Sequence, residues 1–182
     1  GCKDSDAYLQ ASLYAYKLEP SADAAIGCAA MAFKKGDIDG SVKFFDEAIS
    51  YETDNVKKAE SAYKAASVLA SAKKISQARS YAQKAISFNE NYGAPYILIA
   101  QLYAGNYKWN DEPALNKCTF FAAIDKLQRA KAVDPSVAEE ANKLISSYSA
   151  YTPEAKDLFM LGYKAGDRIT IGGWIGETTT IR

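Results

Sequence analysis

The sequence predicts an all-α chain: about three to four helical hairpins stacked in an array, ending in a short β-hairpin or extended arm. Three observations carry this. Small residues return at matched places in the chain, about one helical hairpin apart. Alanine, the best helix former, is abundant, while prolines number only five in 182 residues. Helical spacing stops at Gly166, and β-branched residues and glycines take over.

The most regular copy is Ala22 to Asn55. Ala29 falls in its first helix, and Ser41 and Ala48 fall in its second. Gly36-Asp37 breaks the chain between them, and Phe33, Phe44 and Phe45 supply bulk around the small residues. Three segments share the second-helix pattern of a small residue, an aromatic or apolar one, then Ala: SVKFFDEAISYET from Ser41, ARSYAQKAISFNE from Ala78 and AIDKLQRAKAVDP from Ala123. YLQASLYAYKLEP from Tyr8 fits as well. The matched alanines, Ala15, Ala48, Ala85 and Ala130, stand 33, 37 and 45 residues apart. A unit of about 34 residues with growing insertions accounts for all three spacings.

Taken in order, helices are expected at 5–18, 22–35, 38–51, 55–72, 75–88, 93–105, 118–132 and 136–149, with a short capping helix at 153–162. Lys17, Lys34 and Lys35 sit where helix C-termini favour cations. Asp134-Pro135-Ser136 reads as a helix start, with Asp134 or Ser136 capping.

These positions resemble the tetratricopeptide repeat (TPR) family. Ala29, Ser41, Ala48, Phe45 and the Gly36-Asp37 turn match one full repeat. Ala66, Ala78, Ala85 and Tyr81 match the next, and Ala100, Tyr103, Ala123, Ala130 and Pro135 a third. The family's usual Trp is replaced by Ala25, Ala62 and Tyr96. The physical basis is close approach: axes about 8–10 Å apart need small side chains at the crossing. The resemblance implies a TPR-like α-α superhelix in one domain over 1–182. Its parts are a partial repeat at 1–20, repeats at 22–55, 56–92 and 93–135, capping helices at 136–165 and a β-like tail at 166–182.

The resemblance also implies a concave groove lined by the first helix of each hairpin. Its peptide-binding positions project onto Ile26 and Phe33, Tyr63 and Ser67, and Ile97 and Gln101. Where some members hold a peptide carboxylate with Lys and Asn, this chain has Ile26 and Ala30, so that clamp is absent. Packing between repeats is the alternative role for each of these residues.

Two pieces depart from the repeat. NYKWNDEPALNK, ahead of Cys118, is an insertion of about eleven residues relative to a unit of ~34. Its Trp109 either contacts a partner or packs on its own helices. The tail GDRITIGGWIGETTTIR reads as a hairpin. A two-stranded hairpin is marginal alone, so Trp174 and its neighbours must pack on the last helices or on a second copy of the chain. The ending GGWIGETTTIR resembles that of Bacteroidetes-type repeat proteins, which are usually exported. This implies a periplasmic or cell-envelope location, with the cytoplasm as alternative. Gly1-Cys2-Lys3-Asp4 reads either as a trimmed lipoprotein start with Cys2 lipidated or as the interior of a longer protein.

Composition narrows function by subtraction. Lys+Arg and Asp+Glu both total 22, so no net field favours nucleic acid. The longest apolar run, around Tyr96 to Tyr103, is far short of the ~20 residues of a membrane span. Histidine is absent, and the three cysteines lie far apart. No metal cluster, cofactor motif or nucleophile beside a base is visible, and carboxylate pairs such as Asp46-Glu47 diverge on a helix. The expectation is a non-enzymatic scaffold that binds a protein or peptide in the groove, without a cofactor or metal. The alternative is a structural module whose tail docks on the array or joins two copies.

Overall fold

A computed structural model describes residues 6–182. Cys2 and the first residue of the expected helix 5–18 lie outside the described residues. The helices are α1 (Asp6–Leu18), α2 (Ala22–Lys34), α3 (Ile38–Tyr51), α4 (Asn55–Ser71), α5 (Ile75–Phe88), α6 (Gly93–Gly105), α7 (Pro113–Lys117), α8 (Thr119–Val133), α9 (Ala138–Ser149) and α10 (Ala155–Met160). Strands β1 (Arg168–Thr170) and β2 (Thr178–Thr180) follow. The chain forms two compact units, divided between Glu90 and Asn91.

In the first unit each helix packs on the next, α1 through α5. The α2–α3 turn is set by Gly36, whose φ of 79° suits a residue without a Cβ, and by Asp37, whose side chain accepts from Gly40 N at 2.9 Å. Ser21 and Asp54 cap α2 and α4 in the same way. The small residues lie at the crossings: Ala29, Ser41, Ala48, Ala66, Ala78 and Ala85 are all fully buried. Ser41 satisfies its hydroxyl there by donating to Ala29 O at 2.8 Å. Around the crossings, Ala29, Phe45, Ala65 and Val68 form one core cluster with Ile26, Val42 and Tyr81 against it. Ile49, Ala62 and Ala85 form another, flanked by Tyr63 and Phe88.

The second helices of successive hairpins are tied by tyrosine–carboxylate bonds. Tyr16 OH donates to Glu47, and Tyr81 OH to Asp46 at 2.5 Å, with Lys84 on the other oxygen at 2.9 Å. Both phenols are held un-ionised well above the ordinary range, Tyr16 first by its bond to Glu47 and Tyr81 first by burial. One matched alanine differs: Ala15 is exposed. The α1–α2 contact uses Ser12 against Gly27 instead, where a Cβ on Gly27 would sit 2.1 Å from Ser12 Oγ.

In the second unit α8 is the central helix, packed by α6, α7, α9 and β2. Its core is Tyr103, Ile99, Phe121, Leu127 and Ala130. Asp134 starts the next element, accepting from Ser136 N at 3.1 Å within a 3-10 turn over Pro135–Val137. It also accepts from Gly93 N at 3.0 Å, which joins the start of α6 to the end of α8.

The tail is the expected hairpin, antiparallel with Ile169 opposite Thr179. Its connection needs positive φ at Gly173 and Gly176. Ile169, Ile171, Ile175, Thr179 and Ile181 are buried. Polar ties hold it to the helices: Thr179 Oγ1 donates to Asp125 at 2.6 Å, Arg182 pairs with Asp125, and Lys126 meets Glu177 at 2.8 Å. Tyr103 OH donates to Glu177 at 2.6 Å, and the Trp174 ring stands edge-on to Tyr103 at 5.5 Å.

Candidate binding site

The second unit carries an open aromatic cup of about 480 Å³, bordered by α6 and α9. Its first wall is Gln101, Ala104 and Gly105, which share one face of α6 by their spacing. Asn106 then ends the helix: its N–H donates to Tyr103 O and its side chain to Leu102 O, both at about 3 Å. The chain turns, and Tyr107 lies against Phe120 with ring centroids 5.4 Å apart. Phe120, at the start of α8, is the floor. Tyr148 from α9 meets it edge-on at 5.9 Å, and Tyr151, just past α9, stacks on it at 5.4 Å. Offset and edge contacts of this kind are worth about 0.5–1.5 kcal/mol each beyond burial.

The insertion shapes the cup's rim. The buried Asn116 side chain accepts from Trp109 N at 2.7 Å and Asn110 N at 2.8 Å, and donates to Asn110 O at 2.7 Å. Glu112 caps α7 through Ala114 N at 3.2 Å, with Pro113 in its first turn. This brings Lys117, in the last turn of α7, into the lining. Among the described residues that line the cup, Lys117 is the only ionic one. Burial raises the Tyr148 phenol above its ordinary range, so it stays a neutral hydrogen-bonding group.

The sequence-derived groove residues separate. Gln101 lines the cup. Ile26, in the first unit, lines a different hollow of about 410 Å³ between α2 and α4, with Asp23, Ala30, Glu60 and Lys64 among its neighbours. Phe33 is exposed. Tyr63 packs beside Phe88 on the Ile49 cluster, and Ser67 Oγ donates to Tyr63 O at 3.0 Å along its own helix. Ile97 is buried at 4% exposure. Trp109 and Trp174 both pack within the second unit. Trp109 Nε1 donates to Thr119 Oγ1 at 3.1 Å, and its ring lies against Gly172. Sequence reading missed Tyr107, Phe120, Tyr148 and Tyr151. They come from three separate stretches of the chain, and only Tyr148 and Tyr151 stand at a helical spacing, three residues apart.

A further hollow of about 520 Å³ runs along α10 beside the exposed Phe159 and Met160. Among the described residues no group of three His, Cys, Asp or Glu is placed to hold a metal. No helix among them is long and apolar enough to cross a membrane.

No protein-family model matches the chain, and no curated protein matches its sequence. Among solved structures it is similar to the crystal structure of MamA, with a TM-score of 0.55 over 85% of this chain and 86% of that one, at 16% identity. MamA contains TPRs. The fold is TPR-like. At that identity the likeness concerns architecture alone.

Proposed function

We propose that this protein is an interaction scaffold that holds a segment of a partner protein, anchoring one side chain in the aromatic cup. One observation carries the reading. Tyr107, Phe120, Tyr148 and Tyr151 converge around an open cavity that the chain's own side chains leave unfilled. Its size lies in the range of ligand sites, about 300–1,000 Å³. Tyrosines supply large, stiff contact area with a polar tip, which suits peptide capture. Partner retention from source-cell extract, compared between the parent and a Tyr148→Ala/Tyr151→Ala variant of unchanged helicity, tests it. A partner kept by the parent and lost by the variant is expected. Identical profiles would refute the placement.

A second reading, a structural module centred on the tail, is favoured by the buried tail isoleucines and the Asp125 and Glu177 ties. On this reading the tail docks on its own helices, so removing 166–182 lowers stability in urea unfolding. A truncated protein as stable as the parent would count against intrachain docking.

A further inference from the structure

The cup's lining states what kind of segment it takes. Four rings and Ala104 offer an apolar surface for one large side chain, and Gln101 and the tyrosine hydroxyls can bond the backbone around it. The electrostatics are one-sided. Lys117 lines the cup, and no carboxylate does among the described residues. The nearby Glu154 is engaged by Lys156 at 2.9 Å. That pair holds the Glu154 carboxyl below its ordinary range, with Lys117 adding a smaller part. An acidic group on the ligand therefore finds a cation in the lining, and a basic group finds no carboxylate there, Glu154 outside it being held by Lys156.

We infer that the cup binds an acidic segment of a partner protein, seating one aromatic or large apolar side chain on Phe120 and setting a neighbouring carboxylate beside Lys117. The inference rests on the scaffold reading above and specifies its ligand. In an extended segment residues i and i+2 share a side, so the acid belongs two residues from the anchor. Charge at an exposed rim adjusts affinity modestly, while the anchor supplies most of it.

The test uses the whole isotope-labelled chain and three capped peptides. The first is Gly-Asp-Gly-Phe-Gly-Asp-Gly, the second replaces both Asp by Lys, and the third replaces Phe by Ala. Amide signals of Gln101, Ala104, Tyr148 and Tyr151 are followed by NMR at low salt. The Asp–Phe peptide is expected to shift these signals, with the Lys–Phe peptide about fivefold weaker and the Ala peptide without effect. The preference for Asp should vanish in Lys117→Gln and collapse near 1 M salt, where screening acts within about 3 Å. Equal binding of the Asp and Lys peptides, or a preference that survives Lys117→Gln, would overturn the charge assignment and leave the cup as a binding site. Equal binding of the Ala peptide would overturn the anchor. If neither Phe peptide moves the cup signals, the scaffold reading itself fails at this site.

Discussion

Gly172→Ala is the sharpest probe of how the insertion and the tail hold each other. A Cβ at Gly172 would stand 2.6 Å from Trp109 Cε3 and 3.2 Å from Cζ3, where ordinary contact begins at 3.4 Å. The ring must give by almost an ångström. It is not free to swing, because its Nε1 bonds the fully buried Thr119 at 3.1 Å and its own backbone N–H bonds Asn116 at 2.7 Å. Overpacking of this kind costs about 1–3 kcal/mol. Against it stands a gain of about 0.4–1 kcal/mol, because alanine restricts the unfolded chain. The net expectation is a loss of about 1–2 kcal/mol in urea unfolding, with altered tryptophan emission. Gly105→Ala is the control: a Cβ there meets nothing within 4 Å. It should be neutral or stabilising by up to about 1 kcal/mol. In a Trp109→Leu background the Gly172→Ala loss should shrink, as coupled neighbours require. A Gly172→Ala protein as stable as the parent, with unchanged emission, would refute the clasp.

Three more outcomes follow from named contacts. Ser41→Ala removes the buried bond to Ala29 O and should cost about 1 kcal/mol. Ser41→Val overfills the same crossing and should cost more in the same urea titration. Asp134, held below its ordinary value of 3.8 first by the Ser136 hydroxyl and then by Gly93 N–H, should contribute stability above that pH. As pH falls through the lower folded value the contribution is lost, because the unfolded chain binds the proton more readily. Asp134→Asn should flatten that part of the acid unfolding curve. Burial pushes the Cys118 thiol up to about 11 and raises Cys28 as well. In a Cys2→Ser background, thiol reagent at pH 8 should therefore label neither until urea unfolds the chain.

The sequence by itself determined the repeat. Small residues about 34 apart, a Gly-Asp break and helical spacing are local signals, and the helices lie within a residue or two of where those signals put them. The tail hairpin was legible for the same reason, since β-branched runs and paired glycines act on their own stretch of backbone. The α7 turn was not: it is only five residues and depends on Glu112 capping and on Asn116 gathering the loop behind it. Tertiary structure decided the tail's partner, because Asp125 and Tyr103 lie 54 and 74 residues from the groups they bond. It also decided the site. Gln101 could be reached by projecting a family groove, but the same projection named Ile97, which is buried. The cup draws rings from positions 107, 120, 148 and 151. Beyond the three-residue step from Tyr148 to Tyr151, such convergence leaves no period in the chain, because it is made by how α8 packs against α6 and α9 rather than by any one element.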